Sequence, residues 1–283
     1  MANIVTCIDG SNLADAVSDA GIWVSQRLSA PLQMLHVLDK GEPHSSANLS
    51  GNIVPEGRRK LLKELVNLEE KHAKLALEAG KHMLEDARQR AADQGIEHVA
   101  ITQRHGTLSE SLIDISDDMT MVVIGQRGES QRSKKLAIGS QIESVIRTSR
   151  KPILIVPENF TKPTRFLIAY DGREVTEKAI DELISSALLK SLDCHIISVK
   201  NNNKERQPAL DKAAEKLTNA GFDVRAEVVE GNIQTALNTY IQEHSIELLV
   251  MGAYGHSRLH QLFVGSHTTN MVRQSDIPVL IAK

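Results

Sequence analysis

Near the end of the chain three glycines and a serine stand at set intervals. Gly252 and Gly255 have two residues between them, nine more follow, and then come Gly265 and Ser266. Glycine inside a regular element costs about 1 kcal/mol relative to alanine, so such a cluster marks special backbone geometry. One chemistry that needs this geometry is a phosphate cradle. Glycine lets backbone N–H groups approach an anion closely, a helix N-terminus at Gly265-Ser266 adds its positive end, and the serine hydroxyl adds a donor. Asp171, which closes an earlier apolar run, offers a carboxylate able to accept bonds from ribose hydroxyls or an adenine amino group. The same residue types also serve plainer ends, since a glycine after a strand makes a turn and a serine before a helix caps it.

What positions these residues is legible because the chain says it twice. NIVTCIDGSNLADAV from Asn3 and RFLIAYDGREVTEKAI from Arg165 are both apolar runs ending in Asp-Gly and followed by a helical pattern. TMVVIGQRGES and ELLVMGAYGHS both close an apolar run in Gly-x-x-Gly. IGSQIESVIRTSRKPILIVP and VGSHTTNMVRQSDIPVLIAK both run from Gly-Ser through a helical segment to a proline and a last apolar strand. This is a tandem duplication, with halves at residues 1–158 and 163–283 joined through the segment PENFTKP. Short apolar runs alternate with helical segments in each half, which argues an α/β fold of parallel strands covered by helices on both faces. In the second half the helical segments are EKAIDELISSALLK, PALDKAAEKLTNAG and IQTALNTYIQEHS. The first half differs by an insertion over about 40–94. Its opening is a loop by composition, and the stretch from Arg58 to Gln94 has the apolar spacing of a long helix, suited to packing or a partner surface.

Composition narrows the function classes. A net charge of −3 and a pI near 6.4 give no basic field for nucleic acid, and 3% aromatic residues leave few stacking platforms for single strands. Cys7 and Cys194 are the only cysteines, each in an apolar run, so they read as core filler without a disulfide or a Cys-x-x-Cys pair. The N-terminus lacks the character of a signal peptide and no apolar run spans a bilayer, which makes the cytoplasm the expected location.

With these features in place, the chain resembles the universal stress proteins. The spacing Gly252-x2-Gly255-x9-Gly265-Ser266, set after a strand and before the last helix and strand, matches that family's ATP motif. The opening strand ending in Asp and the closing PVLIA strand match as well, and the likeness covers the whole chain twice. The resemblance implies two tandem five-stranded parallel doubly wound sheets, Rossmann-like, each in the strand order 3-2-1-4-5. It implies that Asp171 and Val199 lie along the nucleoside, that Gly252 and Gly255 lie near ribose and phosphates, and that Gly265, Ser266 and Thr268 hold the phosphates of ATP with a bridging Mg or Mn ion. The first-half counterparts are Asp9, Val37, Gly125, Gly128, Gly139 and Ser140. It also implies a pseudo-dimer of the two halves joined through their last strands, Ile153–Val156 and Val279–Ala282, with a homodimer and a protein partner as further options. The expected activity is a nucleotide-dependent stress-response regulator with little turnover. A nucleotide-free interaction protein and a slow ATPase are the alternatives, because the family includes members that bind no nucleotide.

The first half departs from the motif. Ten residues separate Gly128 from Gly139, one more than the motif has, and Ile142 stands where the second half has Thr268. Arg127, Arg132, Lys134 and Lys135 keep its loop attractive to anions. Nucleotide is therefore expected mainly in the second half. Other chemistries lack their residues: the Asp-Gly loops read DGSN and DGRE rather than an SGGxDS adenylation loop, and no GxxxxGK[ST] occurs. GHSRL lacks the second glycine of a nucleophile elbow. His256, His260 and His267 crowd one loop without a cysteine and read as solvated or phosphate-facing rather than as zinc ligands.

Overall fold

The computed structural model describes residues 2–38, 55–128, 140–200, 206–252 and 271–283. The first half supplies strands β1 (Asn3–Cys7), β2 (Leu32–Leu38), β3 (Val99–His105), β4 (Met119–Gly125) and β5 (Ile153–Val156). The second supplies β6 (Arg165–Ala169), β7 (Asp193–Lys200), β8 (Val224–Glu230), β9 (Leu248–Gly252) and β10 (Val279–Ala282). They stand side by side as β3-β2-β1-β4-β5-β10-β9-β6-β7-β8. Each half thus has the order 3-2-1-4-5 with parallel neighbours, as expected.

The two sheets are continuous. β5 and β10 pair antiparallel, Ile155 against Val279, Leu154 against Leu280 and Ile153 against Ile281, so ten strands form one sheet. The reason lies in their sequences. ILIV and VLIA are buried at every position, and an unpaired edge of that composition would leave a row of backbone N–H and C=O groups against apolar side chains. Burial on both faces holds for the inner strands but not for the outer ones. β3 and β8 share the same pattern of half-buried and exposed residues, because each has a neighbour on one side only.

Helices cover both faces. One face carries α1 (Ala14–Leu28), α2 (Pro55–Asp93), α5 (Glu174–Ser185) and α6 (Gln207–Asn219) over a core that includes Ile4, Val17, Ile22, Leu84, Ile180 and Leu210. The other carries α3 (Leu108–Asp114), α4 (Ser140–Thr148), α7 (Ile233–Glu243) and a helical turn at 271–274 over Val5, Leu112, Val145, Leu237 and Val272. The inserted helix begins at Pro55, where a missing N–H costs nothing, and runs 39 residues. α5 is shorter than its sequence pattern: it stops at Ser185 because the Ser186 hydroxyl accepts the Leu188 N–H at 3.2 Å. Leu188 and Leu189 then turn into the core.

Each half also grips the other through the carbonyl end of the helix that follows its glycine loop. Buried Gln126 donates from Nε2 to the Val272 carbonyl and, at 3.0 Å, to that of Ser275. Reciprocally, Lys283 donates from Nζ to the carbonyl of Ile146 near the end of α4. Burial lowers the Lys283 pKa to about 8.

Candidate nucleotide site

In a sheet of this order the strand sequence reverses between β1 and β4, and again between β6 and β9. The crevice beyond the carboxyl ends at such a reversal is where open α/β sheets take ligands. Cys7 is in register with Ile124, which brings Gly125, the last residue of β4, and Asp9, two residues past β1, to the same end of the sheet. Ala169 is in register with Met251, which does the same for Asp171 and Gly252. The duplicated sequence therefore delivers an aspartate and a glycine to the same place twice.

In the first half, Asp9 Oδ1 accepts the Ser11 N–H at 3.1 Å. A Cβ on Gly128 would come 3.2 Å from Asp9 Oδ2, so the glycine loop folds back onto the aspartate. A Cβ on Gly125 would press on the Arg127 carbonyl at 3.3 Å and on Leu13 and Val17 of the first helical segment at 3.4 Å. A Cβ there would reach contact distance with the start of α1 and crowd the Arg127 carbonyl. In the second half a Cβ on Gly252 would meet Thr176 Cγ2 at 3.2 Å and Val175 Cγ1 at 3.3 Å, so the same close approach to the following helix recurs. Val37 and Val199 sit half-buried near the carboxyl ends of β2 and β7, one strand away from the aspartates.

The second-half aspartate is held in place by its own loop. Its Oδ1 accepts the Arg173 N–H at 3.0 Å and the Thr176 hydroxyl at 2.9 Å, and the Arg173 guanidinium stands 3.3 Å from Oδ2. Arg206, at the start of α6, donates to the Asp171 backbone carbonyl, and its Nε is buried with no protein partner. Tyr170 donates to Glu177; burial first, and then that carboxylate, push its phenol pKa well above the ordinary range. Gly172 lies beneath the Arg206 guanidinium at φ +71°, which suits glycine.

Gly139, Gly255, Gly265, Ser266 and Thr268 lie outside the described residues, as do His256, His260 and His267. Ser140 opens α4, which gives the first-half Gly-Ser pair a helix N-terminus. Ile142 is 5% exposed and packed in the core with Val145 and Ile146, so at this position the first half has a packing residue. Thr176 and Arg206 are the site neighbours that sequence reasoning missed. Thr176 is visible in hindsight as a hydroxyl in the turn after DGRE. Arg206 carried no signal, because nothing in NNNKERQ says which side chain bends back. Among the described residues no three His, Cys, Asp or Glu side chains come together as a metal site.

A second feature lies at the other end of the second-half strands. A cavity of about 370 Å³ opens at the amino ends of β6, β7 and β8, lined by Arg165, Asp193, His195, Arg225 and His244 among others. His195 Nδ1 is 3.0 Å from the Tyr240 hydroxyl, and the His244 ring lies 4.1 Å from that of Tyr240. Burial, then the nearness of His244, Arg165 and Arg225, hold the His195 pKa below its usual value. This cavity is the whole strand length away from Asp171.

Comparison with known proteins agrees with the fold. A sequence profile described as the universal stress protein family matches residues 1–157 and, a second time, 163–283. Universal stress protein Slr1230 of a Synechocystis strain is 35% identical over 284 residues, which is 99% of each chain. The crystal structure of a universal stress protein from Archaeoglobus fulgidus superposes with a TM-score of 0.73 over 99% of this chain and 98% of that one, at 18% identity. A shorter universal stress protein solved in complex with cAMP is 24% identical, with a TM-score of 0.37 over 43% of this chain and 98% of its own. With two profile matches that together span nearly the whole chain and a full-length relative at this identity, the protein belongs to the universal stress protein family.

Proposed function

We propose that the chain is an ATP-binding stress-response regulator with little or no turnover, whose nucleotide site lies mainly in the second half. The observation that carries this reading is the convergence of Asp171 and Gly252 at the reversal between β6 and β9, with the motif Gly255-x9-Gly265-Ser266 following directly in sequence. In this reading Asp171 and Val199 flank the nucleoside. Gly252 and Gly255 admit the ribose and phosphates, and Gly265, Ser266 and Thr268 hold the phosphate chain with a bridging Mg or Mn ion. Asp171 fits such a ligand as a fixed acceptor, and the missing Cβ of Gly252 lets the end of β9 close onto the helix that follows Asp171. The Arg206 guanidinium adds a cation at the nucleoside end.

One observation favours a nucleotide-free interaction protein instead. The Asp171 carboxylate already accepts two bonds from its own loop, a sufficient role as the cap of the turn into α5. A carboxylate has about four acceptor sites, so the two roles are compatible. The test is the small-molecule content of the purified protein. Acid release followed by mass spectrometry is expected to yield adenine nucleotide, and calorimetry of the stripped protein is expected to show ATP binding with Mg. A stripped protein that takes up no ATP at millimolar concentration supports the interaction protein.

A further inference from the structure

The long helix is only half supported. From Gly80 onward α2 lies on the sheet, with Leu84, Ala87 and Ala91 buried. Residues 63–76 are all exposed. At 1.5 Å per residue this stretch is a rod of roughly 20 Å lying clear of the core. A helix of that length standing alone in water is marginal, and its stability normally comes from packing one face. Of the six large apolar side chains exposed among the described residues, four are on it: Leu65 (43%), Val66 (52%), Leu68 (53%) and Leu75 (63%).

Their spacing is that of a seam. Leu65, Leu68, His72, Leu75 and Ala79 follow one another at alternate steps of three and four, the a/d spacing of a coiled coil. At 100° per residue this stripe points about 120° away from the face that Gly80, Leu84, Ala87 and Ala91 turn to the sheet. Among the described residues the body of the same chain therefore does not cover it. The flanking charges choose the occupant. With Leu65 at a, the g positions are Glu64, Lys71 and Glu78 and an e position is Glu69. A parallel pair of these helices sets Glu64 against Glu69 of the other copy, which repels. An antiparallel pair with Leu65 on Leu68 sets Glu64 against Lys71 of the other copy, and the twofold axis makes that contact twice. The antiparallel pair with Leu65 on Leu75 is excluded by the same charges, since it faces Lys71 with Lys71 and Glu64 with Glu78.

From this self-complementary pattern we infer that the exposed part of α2 is a dimerisation arm, pairing antiparallel with the same segment of a second copy through Leu65 and Leu68. The interface is separate from the β5–β10 joint inside the chain, and it is independent of whether nucleotide is bound. It assigns a role to the insertion that distinguishes the two halves.

Sedimentation equilibrium of the full chain tests this. The expected result is a concentration-dependent dimer that Leu65→Glu or Leu68→Glu weakens at least a hundredfold, with the far-ultraviolet spectrum of the sheet and docked helices retained. Lys71→Glu alone is expected to weaken the dimer about tenfold by creating two Glu–Glu contacts, and adding Glu64→Lys to restore it. A chain that stays monomeric at high concentration overturns the inference. So does a dimer indifferent to Leu65→Glu, or a monomer that loses a copurifying protein on that substitution. Failure of the double charge reversal to restore association overturns the antiparallel register.

Discussion

Two helices that occupy the same place in the two halves begin in opposite ways. α2 and α6 both end in a glycine with positive φ, Gly95 at +88° and Gly221 at +90°, and both are closed by a bond from the next residue's N–H, Ile96 to Ala91 and Phe222 to Leu217. Counting back from these ends, Ala91, Ala87 and Leu84 correspond to Leu217, Ala213 and Leu210, all buried, and Gly80 corresponds to Arg206. At Gly80 the helix continues, so close to the sheet that an added Cβ would lie 2.1 Å from Gln103 Nε2 and 2.7 Å from His36 Cδ2. At Arg206 the helix starts, and the side chain turns back to the carbonyl of Asp171. One half uses the position to extend an arm into solvent; the other uses it to place a cation beside the Asp171 loop. A duplicated fold has thus been put to two uses by what one helix end carries.

The largest expected effect sharpens that contrast at the crevice itself. If Asp171 and Ser266 contact a bound nucleotide, each change to alanine removes a polar partner worth about 0.5–1.5 kcal/mol, or up to about 3 where charge is involved. ATP affinity measured by calorimetry is then expected to fall by roughly threefold to more than a hundredfold with the fold intact. Asp171→Ala is expected to weaken adenosine as well, whereas Ser266→Ala spares it. Unchanged ATP titrations for both variants leave the glycines as turns.

The helix comparison itself can be broken by exchange. Gly80→Leu forces a side chain against His36 and Gln103 and is expected to destabilise the chain by about 1–3 kcal/mol, the usual range for overpacking. Arg206→Leu removes the donor to the Asp171 carbonyl and is expected to lower the free energy of urea unfolding by about 0.5–1.5 kcal/mol, an ordinary hydrogen-bond contribution, while lowering ATP affinity. Equal destabilisation by both changes would mean the positions are not used differently.

An effect of the same order belongs to the joint between halves. Gln126→Ala leaves the Val272 and Ser275 carbonyls without their donor, and is expected to cost about 1–3 kcal/mol in chemical unfolding. A change indistinguishable from wild type would remove Gln126 from the account of how the halves are held together.

The smallest prediction separates the amino-end cavity from its first-half counterpart. Strand register aligns His195 with Gln33, Arg165 with Asn3 and Arg225 with Ala100, so these three positions carry imidazole and guanidinium only in the second half. Because the His195 pKa is lowered in the folded chain, the unfolded chain binds a proton that the folded one refuses as pH drops below about 6.5. Stability is expected to fall on acidification from that point down to the folded-state value, and His195→Gln to flatten the fall. Thermal melts between pH 5 and 8 that show the same slope for both proteins would contradict this assignment.

What was legible beforehand follows from what repetition and periodicity can encode. The strands and the Asp-Gly loops could be read because each pattern occurs twice, their order came only from the family resemblance, and ILIV and VLIA announced the edges that pair. The length of α2 was nearly legible from its apolar spacing, but its exposure was not, since a 3.6-residue period is the same whether or not a partner covers the stripe. The early stop of α5 hung on one hydroxyl at Ser186. Arg206 was invisible because a long side chain's target depends on tertiary placement, and no local pattern records it.

The central claim is that nucleotide belongs to the second half, and one calorimetric comparison tests it most directly. Gly265 and Gly139 occupy equivalent places in the two motifs, and a leucine at either would fill the space against which phosphates are expected to lie. ATP titrated into Gly265→Leu is expected to give no binding heat, while Gly139→Leu binds nearly as the unaltered protein does. Equal losses from the two substitutions, or a Gly265→Leu chain that still binds ATP, would contradict the account.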